Sequence, residues 1–86
     1  MLIRWSRHAK EKFAERAVKY GINYGDIEFE VKKQKVKLHE GKDKFRTIFR
    51  VGENILTAIK IEKKEFMHIL TLWESNEKEV ELWKKK

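Results

Sequence analysis

Residues 35–73 read KVKLHEGKDKFRTIFRVGENILTAIKIEKKEFMHILTLW, and their rhythm decides the fold class. Apolar and polar residues alternate through four short runs, 35–40, 45–51, 55–61 and 66–73, and a period of two sends successive side chains to opposite faces of a sheet. The connectors Gly41-Lys42-Asp43-Lys44, Gly52-Glu53-Asn54 and Glu62-Lys63-Lys64-Glu65 are of hairpin length. The runs are therefore predicted to pair as a four-stranded antiparallel meander. Runs 55–61 and 66–73 are apolar on both parities, as strands covered on both sides are, whereas lysine-rich 35–40 has the character of a protected edge. Polar positions of the first two runs carry Lys35, Lys37, His39, Arg46 and Arg50. These bases are expected to share one face of the sheet, opposite Val36, Leu38, Phe45 and Phe49.

Working back from the strands, residues 6–20 carry a helical pattern. Ser6 is a candidate cap, Ala9, Phe13, Ala17 and Tyr20 recur at helical spacing as an inner stripe, and Gly21 follows as a stop. Beside that stripe run His8, Lys12, Arg16 and Lys19, a cationic row that is either a solvated helix flank or an anion contact. In 21–27, GINYGDI, Asn23 and Asp26 have capping-box spacing, with Ile22 and Ile27 placed as a hydrophobic staple for a second, short helix. Working forward, Asn76 and Glu79 have the same spacing before an acidic first turn, and Lys84, Lys85 and Lys86 suit a helix C-terminus. Residues 75–86 are thus a helix that Val80 and Trp83 dock on the body, or a mobile tail.

An 86-residue chain holds one domain with one small core, so residues 1–86 are read as a single α+β unit with two N-terminal helices on a four-stranded antiparallel sheet. It has no cysteine, which removes disulfides and thiolate metal sites. Residues 1–5 are too short for a signal-peptide core, and no apolar run approaches a membrane span, so the expected location is the cytoplasm. Lys and Arg number 21 against 14 Asp and Glu, a net charge of +7 that draws the protein toward polyanions. The same richness in Lys and Glu, with one Gln, is also the makeup of a heat-adapted surface.

No cofactor is expected. His8, His39 and His68 lack ligand-type spacing, and Gly21, Gly25, Gly41 and Gly52 each read as helix-end or turn punctuation rather than a phosphate-cradling loop. A metal-free site built of His, Arg and Lys remains. Cleaving RNA without metal needs a base for the 2′-hydroxyl, cations for the charge developing on phosphate, and an acid for the leaving oxygen. Arg46 and Arg50 are the candidates for phosphate, His39 or His68 for proton transfer. Lys35, Lys37, Lys60, Lys12 and Arg16 are candidate nucleic-acid contacts. The plainer alternatives are that Arg46 and Arg50 pair with Glu40 or Glu53, that His68 is a hydrogen-bonded core residue, that His39 is an exposed turn-side residue, and that Trp5, Trp73 and Trp83 are core or docking residues rather than stacking platforms.

Ser6-Arg7-His8-Ala9, followed by Lys12 and Arg16 and then by Gly21-Ile22 and Asp26-Ile27, resembles the S-x-H-A-x-x-R-x-x-x-R opening of a family of small prokaryotic proteins. That family is similar to BrnT and the RelE/ParE toxin superfamily, whose members pack helices on a curved antiparallel sheet. His8 and Arg16 match its motif. Lys12 stands where the family usually has arginine, residues 17–20 add about a turn before the glycine, and the tail lacks the tyrosine that several RelE-type nucleases use. The resemblance implies a toxin-like protein, a metal-independent endoribonuclease acting on free or ribosome-bound mRNA and neutralised by an antitoxin. A non-catalytic module that binds nucleic acid or protein is the alternative, and self-association through the tail or edge strand a third.

Overall fold

A computed structural model describes residues 2–33 and 35–86, without the side chains of Arg16, Ala17, Val18 and Tyr20. The order of elements is β1 (Leu2–Trp5), α1 (Arg7–Tyr20), α2 (Tyr24–Lys33), β2 (Val36–His39), β3 (Lys44–Val51), β4 (Asn54–Glu62), β5 (Phe66–Glu74) and α3 (Glu77–Lys85). The expected meander is present as β2 to β5. The sheet, however, has five strands in the order β1-β5-β4-β3-β2 and is mixed, because β1 precedes both helices and pairs parallel with β5. Four residues, LIRW, are too few to show a period, and their partner lies more than sixty residues away. Only the tertiary structure makes them a strand.

Local chemistry sets the helix starts as expected. The Ser6 Oγ accepts from the Ala9 amide at 2.9 Å, and it also donates to the Leu70 carbonyl at 2.6 Å while the Ser6 amide donates to Ile69. Those carbonyls sit at a bulge in β5. Leu70 is the extra residue between the pairs Ile59↔Thr71 and Lys60↔Ile69, so the bulge turns two acceptors toward the helix cap. Asn23 and Asp26 exchange both capping-box bonds, at 2.9 and 3.1 Å. Gly21 ends α1 at φ 65°, and Gly52 makes the tight β3–β4 turn at φ 63°, a left-handed conformation that costs glycine little.

α1 and α2 cover one face of the sheet. Its core joins Ala9 and Phe13 of α1, Ile27 and Val31 of α2, Phe49 and Val51 of β3, Leu56 and Ala58 of β4, and Met67, Ile69 and Leu72 of β5. Each large apolar side chain sealed there stabilises the fold by about 1.5–3 kcal/mol. Trp5 locks β1 to both helices: it packs against Phe13 and edge-on to Tyr24, and its Nε1 donates to Glu28 at 2.8 Å. Of the expected inner stripe of α1, Ala9 and Phe13 are buried, while Ala17 and Tyr20 lie outside the described side chains.

α3 lies on the opposite face and is docked. Glu79 is 3% exposed and fastens it. Its carboxylate accepts from the Asn76 amide at 2.9 Å in the capping box, from Trp73 Nε1 at 3.0 Å, and from Arg46 Nη1 at 3.3 Å. Val36 and Ile48, paired across β2 and β3, are buried on this second face. No described helix is long and apolar enough to cross a membrane.

Candidate nucleic-acid interface

The register between β2 and β3 overturns the single basic face. The pairs are Val36↔Ile48, Lys37↔Thr47, Leu38↔Arg46 and His39↔Phe45, and paired residues share a face. Lys37 and His39 therefore stand with Phe45 on the α1/α2 face, whereas Arg46 and Arg50 stand with Leu38 and Val36 on the α3 face. Ring and cation contacts agree: His39 stacks on Phe45 with centroids 4.9 Å apart, and Lys37 Nζ lies 4.2 Å from the Phe45 centroid.

Three of the expected contacts, Arg46, Lys37 and Lys60, are already held in ion pairs. Arg46 donates to Glu40 at 2.8–3.0 Å as well as to Glu79, the ion-pair alternative. Glu62 forks between Lys37 at 2.7 Å and Lys60 at 2.8 Å. Burial pushes the Glu62 carboxyl upward, but the hydrogen bonds from the two lysines outweigh it and hold it below the ordinary glutamate range. Lys60 is fully buried beneath α2, where its Nζ also reaches the Val31 carbonyl at 3.4 Å. Desolvation lowers its pKa against the opposing pull of Glu62. Lys60 thus caps the α2 C-terminus from inside the core, and no ligand can reach it. Between the two hairpins Lys63 pairs with Asp43 at 2.6 Å, which holds the Asp43 carboxyl below its usual value.

The histidines do not converge. His8 is exposed on the first turn of α1. His39 is exposed, its Nε2 3.2 Å from the Lys42 carbonyl. His68 is half-buried on β5 between Arg4 and Ile61, on the face away from His39. Among the described residues no group of three His, Asp or Glu is placed to hold a metal ion. Lys12 is half-buried on α1, and the side chain of Arg16 lies outside the described set.

Two of the expected contacts, Lys35 and Arg50, do meet, at a cleft of about 400 Å³ lined by Glu30, Lys33, Lys35, Phe49, Arg50 and Trp83. Strand length creates it. β2 begins only at Val36, opposite Ile48, so Phe49 to Val51 run on past it, and the C-terminal turns of α2 and α3 close in from either side. Trp83 forms an aromatic wall with Lys35 Nζ 3.9 Å from its centroid and Arg50 Cζ 6.0 Å away. Arg50 Nε donates to the Gly52 carbonyl at 2.8 Å, which aims the guanidinium. Among the described residues Lys33, Lys35 and Arg50 form no ion pair with a carboxylate. Lys32 adjoins Lys33, and Lys84, Lys85 and Lys86 continue beyond Trp83, all four exposed. The sequence held one sign of this site, cations clustered at the ends of two helices, but not the overhang of β3 that brings those ends together. Comparison with protein families, with characterised proteins and with solved structures finds no match to this chain.

Proposed function

We propose that the protein is a nucleic-acid-binding module that holds the phosphate backbone of RNA in the cleft between α2, β3 and α3. One observation carries this reading. Arg46, Lys37, Lys60 and Lys63 are ion-paired, while Lys33, Lys35 and Arg50 converge on one cleft without carboxylate partners among the described residues. Phosphate is the common oligoanion that such a cluster suits, and each cation that displaces a counterion adds about 0.7 to the salt slope for a single strand. Replacing Lys33, Lys35 and Arg50 together with serine should lower the slope of log K against log salt by about 2. Affinity and slope equal to the parent would overturn the assignment.

The toxin-like ribonuclease is the second reading, supported by the resemblance of the opening and by Glu30, a carboxylate lining the cleft beside these cations. There Glu30 would take the proton of the attacking 2′-hydroxyl as base, Arg50 would hold the charge developing on phosphate, and Lys35 would give a proton to the leaving 5′-oxygen. His39, His68 and Arg46, spread over both faces of the sheet, would play no direct part. Cleavage of a labelled RNA in EDTA, abolished by Glu30→Gln with binding retained, is the outcome expected of this reading. Intact RNA in the bound fraction leaves the binding module.

A further inference from the structure

We infer that the cleft takes an unpaired nucleotide of single-stranded RNA, with its base stacked on the Trp83 indole where Lys35 Nζ now rests, an inference that builds on backbone binding at this cleft. Three features favour that occupant. The volume, about 400 Å³, is at the lower end of the range for small-molecule sites and suits one nucleotide unit rather than a duplex. Bases of a single strand expose a π-face that aromatic side chains can hold, whereas those of an A-form duplex are stacked on each other and present only their edges. Lys35 is poised to give way. Its ammonium occupies the indole face at 3.9 Å, held there by a cation–π contact whose strength is modest in a solvent-open position. A base entering that place would release it toward the flanking phosphate, so one side chain closes the platform when the cleft is empty and adds a charge contact when it is filled. Arg50, tethered to Gly52, and Lys33 hold the neighbouring phosphates.

The test varies the ligand, so it does not depend on a variant that must fold. The unaltered protein is titrated with a 12-mer of adenylate RNA, with a 12-mer of abasic ribose phosphates carrying the same charge, and with a 12-base-pair RNA duplex, at one salt concentration. Stacking of one base predicts roughly 5- to 150-fold weaker binding of the abasic strand. It also predicts that the duplex binds more weakly than the adenylate strand, and that tryptophan fluorescence is quenched by the adenylate strand alone. Phe at position 83 keeps a π-face, so Trp83→Phe should retain most of the preference for the base-bearing strand and lose the quenching. Equal affinity for the adenylate and abasic strands would overturn the stacking while leaving backbone binding intact. Absence of binding to all three would overturn both.

Discussion

Replacing Glu79 with alanine should loosen α3 by about 3 kcal/mol. The carboxylate's return bond to the Asn76 amide is worth about 1 kcal/mol of the capping box. Trp73 Nε1 would lose its acceptor in a half-buried position, costing about another 1 kcal/mol. Arg46 keeps Glu40, so its share is about 1 kcal/mol or less. A domain of 86 residues is stable by about 4–13 kcal/mol in all, and a loss of 3 kcal/mol spread over cooperative unfolding lowers Tm by about 12–24 °C. Circular dichroism melts of the parent, Glu79→Ala and Glu79→Gln would measure it. Glutamine retains an acceptor for Trp73 and Asn76 but not the charge, and should cost about 1 kcal/mol. If α3 detaches before the sheet melts, the loss appears instead as amide exchange at Val80–Trp83 accelerated by about 100-fold with Tm unchanged. A Glu79→Ala protein with neither change would refute the claim that this carboxylate fastens the helix.

Further outcomes follow from the same contacts. The Glu62 carboxyl is held low in the folded state, so its stabilisation is present above the ordinary glutamate range and is lost as pH falls through the lowered value; Glu62→Gln should flatten that acid limb of a stability–pH profile. Lys60, whose folded pKa is also lowered, has the opposite sense: between that value and the ordinary lysine range the unfolded chain binds more protons, so stability rises with pH, and Lys60→Met should remove the rise. Ser6→Ala loses the α1 cap and leaves the Leu70 carbonyl short of a donor, for about 1–2 kcal/mol by denaturant titration. Gly52→Ala meets no atom within 4 Å of the new Cβ, so its cost, about 1–2 kcal/mol, should come from the backbone conformation alone and appear in the same titration.

What the sequence disclosed and what it hid divide along the range of the interactions. Ser6, Asn23 with Asp26, and Asn76 with Glu79 are caps whose partners lie within three residues, and each forms as its spacing predicts. The face assignment failed because it depends on two strands at once. With Leu38 opposite Arg46, even-numbered residues of β2 face the same way as even-numbered residues of β3. A connector with one residue more or fewer would have reversed every face, and nothing in residues 40–43 announces the difference. The strand nature of β1, the burial of Lys60 and the cleft all arise from packing between distant segments, for which hydrophobic period carries no signal. Glu79 shows both sides: its cap was legible, its hold on Trp73 and Arg46 was not.

The seam between β1 and β5 has a kinetic consequence. Ser6 and Leu70, which bond across it, are 64 residues apart, whereas every other pair of neighbouring strands is joined by a short connector. Closing so long a loop is slow beside hairpin formation, so the four-stranded meander can assemble while the outer edge of β5 still lacks its neighbour. During that interval an apolar strand, FMHILTLWE, stands open to pairing with another chain. Removing the Ser6 hydroxyl should therefore lengthen the vulnerable period as well as lower the final stability, and refolding yield at high protein concentration should suffer more than the melting temperature indicates.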